Sequence, residues 1–185
     1  MAAYTGEQLA ERIKVGEAQA FIQLYHQYKH RVYAYCYRLL RHPQNAEDAT
    51  QETFIKVHRS LHQLENPSSF QTWIFTIARN EAFTLLRRVK PVEELEAADN
   101  EVWEDKSPLD RIVERERAAV VQHCLGLLRP AYRDMLILRE YEHLSYTEIA
   151  RVTGSSESAV KSALFKARKA MGKRLESMFD ERDEQ

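Results

Sequence analysis

The chain has 185 residues, a length that fits one large domain or two small ones. Its 27 Lys and Arg side chains nearly balance 28 Asp and Glu, so a net charge of -1 indicates neither a nucleic-acid nor a membrane partner. A hydrophobic fraction of 44% can form a core and excludes a disordered chain. Only five Gly and five Pro favour long helices over a turn-rich β sandwich.

The cysteines and the N-terminus indicate a compartment. Cys36 and Cys124 both lie in apolar helical patterns, which excludes a disulfide scaffold and fits a reducing environment. The N-terminus lacks the basic region and apolar stretch of a secretory signal, and no run approaches the roughly 20 apolar residues that a bilayer requires. We therefore expect a cytoplasmic protein without membrane insertion.

Charge is sorted along the chain. Residues 1–90 carry a net charge of +4, residues 91–110 carry -7, and residues 111–185 carry +2. The acidic stretch lacks a long apolar period, so it predicts a flexible linker between two positively biased modules; a solvated acidic loop inside one domain is the alternative. The predicted organisation is a first domain over 1–90, an acidic linker over 91–107, a second domain over 108–178 and a disordered acidic tail over 179–185.

Helical periodicity dominates both modules, and no stretch has the pattern of a strand, so we predict an all-α fold of two small helical domains. In the first module the spacing predicts a short helix over 6–15 closed by Gly16, a helix over 17–41 stopped by His42-Pro43, one from near Asn45, and one that Ser68 or Ser69 caps and Pro91 ends. In the second it predicts helices from Pro108, over 130–141, from the Ser145…Glu148 capping box to Gly154, and over 157–175.

The end of the second module has the dimensions of a helix-turn-helix. A helix over 146–152 and a tight turn precede a basic helix over 157–175. Such a helix fits the major groove of DNA, where Lys and Arg reach phosphates and guanine edges. An ordinary solvated amphipathic helix is the competing interpretation. The capping box, the turn glycine and the concentrated positive charge together favour DNA binding.

The first module carries a different pair of patterns. Asp48, Gln51 and Glu52 fall at i, i+3 and i+4 and share one helix face, which suits a basic protein surface rather than DNA. Further along, aromatic side chains alternate with cations and an amide, as single-stranded nucleic acid requires for stacking and counter-charge. These residues are Trp73, Phe75, Arg79, Asn80, Phe83, Arg87 and Arg88. For Trp73 a place in the core is an equally good explanation.

Two runs in each module resemble a known family. Glu47–Val57 (EDATQETFIKV) and Phe70–Asn80 (FQTWIFTIARN) resemble region two of the extracytoplasmic-function group of sigma-70 factors. Leu144–Ala150 (LSYTEIA) and Ala159–Leu164 (AVKSAL) are similar to their region four. The resemblance covers nearly the whole chain in the family's order. It departs at Ser158-Ala159, where the family often has Gly-Thr, and at Ala163, where a basic residue is common.

The resemblance implies a bacterial alternative sigma factor that binds RNA polymerase core and directs promoter-specific initiation, without cofactor, metal or catalysis of its own. Asp48, Gln51 and Glu52 would contact the clamp helices of the largest subunit, and the second domain would contact the flap of the second-largest subunit. The residues implied for the minus-ten element are Lys56, Arg59, Phe70, Trp73, Asn80, Arg87 and Arg88. Those implied for the minus-thirty-five element are Arg139, Lys161, Ser162, Phe165, Lys166 and Arg168. An anti-sigma factor covering the Asp48-Gln51-Glu52 face is a further expected partner.

Two rival interpretations remain. A dimeric helix-turn-helix regulator would bind duplex DNA alone through residues 108–175, but it leaves the Asp48-Gln51-Glu52 face unexplained. An enzyme would use His26 and His30, whose i, i+4 spacing suits zinc, with carboxylates from the next helix. No third ligand is placed near that pair by the sequence, and no activated nucleophile or phosphate loop is apparent.

Overall fold

A computed structural model describes the backbone over residues 4–88 and 108–183, and the side chains over 4–88 and 117–178. The predicted acidic linker over 91–107 lies outside the described residues. Within them the chain forms helices and no strand, which confirms the all-α prediction.

The helices follow one another along the chain in two groups. In the described ranges they are α1 (Gly6–Lys14), α2 (Ala18–Leu40), α3 (Pro43–Ser60), α4 (Phe70–Arg88), α5 (Pro108–Gly126), α6 (Pro130–Leu136), α7 (Tyr146–Thr153) and α8 (Glu157–Asp183). Two single 3-10 turns, Leu61–Gln63 and Pro67–Ser69, connect α3 to α4, and a π-helical segment, Ile137–Tyr141, continues α6. The predicted helix ends agree with these bounds to within about two residues, apart from the ends of α6 and α8 described below.

Local side-chain chemistry sets most of the helix ends. Thr5 forms a capping box with Gln8 at the start of α1, and Ser145 forms the expected one with Glu148 at the start of α7. Helix α2 ends at Leu40, one residue before the predicted end at residue 41, because Arg41 adopts a left-handed conformation with φ 57°. Gly154 closes α7 at φ 65°, a conformation that only glycine adopts without strain.

Two further elements differ from the prediction. The helix expected over 130–141 is α-helical only to Leu136, and its last turn is π-helical because the amide of Glu142 donates to the carbonyl of Ile137, five residues back. The expected disordered tail is wrong as far as Asp183, because α8 continues unbroken to that residue.

Packing puts an apolar core in each group of helices. In the first, α2 packs on α1, α3 and α4 around the fully buried rings of Tyr35, Phe70 and Phe75. In the second, α6 and α7 pack on α8 around Ile149 and Leu164. Each such side chain contributes about 1.5–3 kcal/mol of hydrophobic stabilisation. The two cores join into one connected cluster, so the two groups of helices also contact each other.

Cys36 is a buried thiol of this core, and we expect it to resist alkylation in the folded chain. Burial raises the pKa of Cys36 from 9.0 to about 12, so almost none of it is thiolate at pH 8.5. Because the folded state keeps this proton between pH 9 and 12, where an exposed thiol loses it, the Cys36 contribution to the free energy of unfolding falls as pH rises through that range.

The measurement is iodoacetamide labelling at pH 8.5 of a chain carrying Cys124→Ala, with and without urea. Labelling of Cys36 should be fast only where urea unfolds the chain. Equal labelling rates in the folded and the unfolded chain would contradict the prediction.

Candidate protein and nucleic-acid interfaces

Helix α3 presents the predicted polar face to solvent. Asp48 and Gln51 are exposed and Glu52 is partly exposed, while Phe54 and Val57 on the opposite side are buried. This arrangement follows from the 3.6-residue period of the helix. The structure therefore brings the three predicted core-binding side chains together on one accessible surface.

Beside this face lies a groove that the sequence reasoning missed. It has a volume of about 830 Å³ and runs between α2 and α3. Aromatic rings from the two helices pair across its floor: Tyr25 lies 4.8 Å from Phe54, and Phe21 lies 4.9 Å from His58, between ring centroids. Gln51 also lines the groove, so the polar face and the aromatic groove form one continuous surface. Within each helix the aromatic residues lie four positions apart, Phe21 with Tyr25 and Phe54 with His58, and this spacing was a readable signal for the groove.

The predicted minus-ten residues divide into exposed, paired and buried ones. Arg59 on α3 and Asn80, Arg87 and Arg88 on α4 are exposed, and Trp73 is partly buried. Lys56 is exposed as well, but its Nζ lies 2.6 Å from Oε1 of Glu81 on α4. This exposed ion pair links the two helices and is weak enough for a phosphate to compete with it.

Phe70 requires a correction. Its ring is fully buried at the start of α4, where it lies edge-on to Tyr28 at 5.2 Å and beside Trp73 at 6.1 Å between centroids. An aromatic ring with no accessible face cannot stack on a base. Phe70 therefore anchors the start of α4 and positions Trp73, while Trp73 keeps the accessible surface.

The helix-turn-helix forms as predicted from α7, the turn at Gly154 and α8. Three small or branched side chains of α8 (Val160, Leu164 and Ala167) are buried against the core. The predicted base-reading residues Lys161, Ser162, Phe165 and Lys166 all lie on the exposed side. Phe165 is 70% exposed, which is unusual for an aromatic ring with no partner surface in the described residues.

The two arginines predicted to contact DNA phosphates are held by neighbours. Arg139 donates from Nη1 to the carbonyl of Leu144 at 2.7 Å and lies over the ring of Tyr146. Arg168 donates from Nη2 to Oε1 of Glu140 at 2.8 Å, and this hydrogen bond raises the pKa of Arg168. Arg168 is thus held in place on the recognition helix α8 and Arg139 beside it.

The two histidines of the rival enzyme interpretation lie apart from any metal-binding cluster in the described residues. His26 and His30 are exposed on α2, and no group of three or more His, Cys, Asp or Glu side chains in the described residues could hold a metal ion. Among the same residues, no helix is long and apolar enough to cross a membrane.

Comparison with known proteins gives the family. The profile of Sigma-70 region 2 matches residues 24–91, and that of Sigma-70, region 4 matches residues 118–171. The chain is 35% identical to the RNA polymerase sigma-H factor of Pseudomonas aeruginosa over 95% of its length and 96% of that protein. It is 29% identical to the ECF RNA polymerase sigma factor SigW of Bacillus subtilis over 91% of its length and 95% of that protein. The chain belongs to the extracytoplasmic-function group of the sigma-70 family, whose members are alternative sigma factors that direct transcription.

Solved structures share the fold. CnrH in complex with the cytosolic domain of CnrY matches with a TM-score of 0.69 at 22% identity, covering 93% of this chain and 97% of that one. RpoE of Bartonella quintana, in complex with the anti-sigma factor NepR, matches with a TM-score of 0.70 at 22% identity, covering 86% and 98%.

Proposed function

We propose that this protein binds RNA polymerase core through the Asp48-Gln51-Glu52 face and directs it to promoters with both helical domains, acting by binding and not by catalysis of its own. The observation that carries the proposal is the exposed polar face of α3 on a chain that matches sigma regions two and four. The two carboxylates suit a basic partner surface, which the proposal places on the clamp helices of the largest polymerase subunit, and the adjoining aromatic groove offers apolar area for the same contact. Because the polymerase lies in the cytoplasm, the protein acts there.

The two domains divide promoter recognition between them. In the first domain, Trp73 and Asn80 supply a ring and an amide for unstacked bases of the minus-ten element, with Arg59, Arg87, Arg88 and Lys56 available to its phosphates. In the second, α8 enters the major groove of the minus-thirty-five element, where Phe165 can contact a thymine methyl group. The flap of the second-largest polymerase subunit supports this domain.

An anti-sigma factor completes the proposed set of partners. Two solved structures of the same fold hold such a protein or the cytosolic domain of a named partner. The Asp48-Gln51-Glu52 face with its aromatic groove is the surface whose occupation would block polymerase binding. Native co-purification should return a non-polymerase protein that the polymerase core displaces; repeated recovery of polymerase subunits alone would count against it.

The test of the function is transcription with purified core polymerase on a pool of genomic promoters. We expect the protein to co-elute with core and to create new start sites. The rival dimeric regulator predicts no co-elution and tight duplex binding by the protein alone, and that result would overturn the proposal.

The exposed lysines of α8 should make promoter binding depend on salt. For polymerase holoenzyme on a promoter found in that test, Lys161→Ala with Lys166→Ala should lower affinity about tenfold and reduce the salt slope by about two, because two phosphate or base contacts are lost. Affinity is measured by filter binding over a salt series.

The matched control is Arg117→Ala with Arg174→Ala, which removes two exposed cations of the same domain outside the predicted contact surface. An equal loss of affinity in this control would show a non-specific charge effect and refute the assignment of Lys161 and Lys166 to the DNA contact surface.

A further inference from the structure

The two domains meet through buried polar groups as well as through apolar ones. Helices α2 and α4 of the first domain contact the α5–α7 part of the second. Two carboxylates of the second domain, Asp134 and Glu142, are 0% and 4% exposed in this contact. Burying a carboxylate is unfavourable unless a partner forms a hydrogen bond or an ion pair with it. The partners of these two carboxylates are therefore the groups that make this domain contact possible.

Asp134 lies at the centre of the contact and takes its side-chain partners from the first domain. The hydroxyl of Tyr35 on α2 donates to Oδ1 at 2.7 Å. The guanidinium of Arg79 on α4 donates from Nε to Oδ2 at 2.7 Å. Both carboxylate oxygens are therefore used across the domain boundary, and Asp134 has a charged partner only while the domains are together.

Glu142 makes a second contact of the same kind at the end of the π-helical segment. Arg31 on α2 donates to its Oε2 from Nε at 3.2 Å and from Nη2 at 3.0 Å. The amide of Gln71 on α4 donates to the backbone carbonyl of Glu142 at 3.0 Å. Both the side chain and the backbone of Glu142 thus accept hydrogen bonds from the first domain.

The energetics of such a contact favour reversibility. Burial raises the pKa of Asp134 and of Glu142, and the neighbouring arginines offset that rise only in part. Burying both carboxylates away from water therefore costs free energy. This cost is recovered when the domains separate and water hydrates the carboxylates again. The network fixes one geometry without making the contact strong.

The covered surface belongs to the proposed minus-ten region. Gln71 and Arg79 lie on α4, the helix that carries Trp73 and Asn80. Arg79 also stacks on Phe83, with its guanidinium carbon 4.4 Å from the ring centroid. A cation beside an aromatic ring suits single-stranded nucleic acid. Here the carboxylate of Asp134 already forms an ion pair with that cation.

We propose that Asp134 and Glu142 form an intramolecular latch: the second domain closes on the first and its carboxylates take the places of nucleic-acid phosphates on Arg79 and Arg31. The closed chain is restrained without any inhibitor, and it opens when both domains engage promoter DNA on the polymerase. The proposal rests on the proposed function for the identity of the competing ligand, whereas the closure itself does not.

The test compares the whole protein with a variant carrying Asp134→Asn and Glu142→Gln, which keeps shape and removes both charges. We expect a larger radius of gyration by small-angle X-ray scattering. We also expect up to about tenfold tighter binding of a fluorescein-labelled random 20-nucleotide single strand, because a closed state populated at about 90% lowers apparent affinity by that factor. Neither measurement involves polymerase, so their failure is distinguishable from failure of the sigma-factor function.

The matched control carries Glu11→Gln and Glu176→Gln, two exposed acids outside the latch and outside the proposed contact surfaces, so it changes net charge equally. It should stay compact and bind the single strand no more than about twofold tighter, the change expected from net charge alone. Tyr35→Phe, which removes one hydroxyl from the latch and keeps the ring, should open the chain to an intermediate extent. This second variant serves if the double variant does not fold by circular dichroism.

Three results would overturn the proposal. One is an unchanged radius of gyration in both the double variant and Tyr35→Phe. Another is equal tightening of strand binding in the control. The third is expansion without tighter binding, which would remove Arg79 and Arg31 as the contested cations.

Discussion

A chain carrying Asp48→Ala, Gln51→Ala and Glu52→Ala is expected to lose co-elution with RNA polymerase core and to give no promoter-specific transcripts. The three side chains form the exposed face of α3, so the substitutions leave Phe54, Val57 and the core beneath them intact. If each contributes about 1–2 kcal/mol to binding, affinity falls by about 100-fold or more. The dissociation constant is measured with labelled protein and purified core.

The matched control for this experiment removes two acids and one amide from other exposed positions: Glu11→Ala, Gln23→Ala and Glu176→Ala. It should bind core as the wild type does. Wild-type affinity in the α3 variant, with helix content unchanged, would show that polymerase binds another surface.

Arg133→Met is expected to cause the largest loss of stability of the substitutions considered. The Arg133 guanidinium is 7% exposed and donates to four carbonyls: Leu125 at 3.1 Å, Gly126 at 2.5 Å, Leu128 at 2.9 Å and, across the domain boundary, Leu39 at 2.6 Å. Burial lowers the pKa of Arg133 to about 10, so it remains charged at neutral pH. Methionine fills the space but removes this donor from all four carbonyls, of which Leu125 keeps a hydrogen bond from the Leu128 amide at 3.2 Å, at a cost of about 3 kcal/mol or more.

Urea denaturation followed by circular dichroism measures this loss. Lysine at the same position should restore only part of the lost stability, because one ammonium group cannot reach four carbonyl oxygens that are arranged around a planar guanidinium. Arg151→Met, on the exposed side of α7, is the control and should shift stability by about 0.5 kcal/mol or less. Equal stability of the Arg133→Met and control chains would contradict a stabilising role for the four hydrogen bonds of Arg133.

The helices were predictable because each rests on local chemistry. Apolar spacing of three and four residues identifies the buried side of α2 and α3, and the Ser145…Glu148 capping box fixes the start of α7 from four adjacent residues. The π-helical end of α6 was not predictable in this way. It is defined by the hydrogen bond from the Glu142 amide to the Ile137 carbonyl, and Glu142 is a residue that the other domain contacts through Arg31 and Gln71.

The candidate site was predictable where it lies on one helix and not where it depends on two. The Asp48-Gln51-Glu52 face follows from helical periodicity alone. The aromatic groove requires the packing of α2 against α3, and the burial of Asp134 requires contact between domains far apart in sequence. Phe70 was misassigned because a family motif gives a residue's neighbourhood but not which way its side chain points.

Because the contact between Asp134 and Arg79 lies within one chain, domain closure does not depend on the concentration of the protein. Both groups belong to one polypeptide, and the 19 residues between Arg88 and Pro108 can span at most about 65 Å. A tether of that reach holds the domains at an effective concentration in the millimolar range, however few copies a cell contains. The fraction of closed chains is therefore independent of protein abundance, whereas restraint by a separate inhibitor weakens as both proteins become scarce.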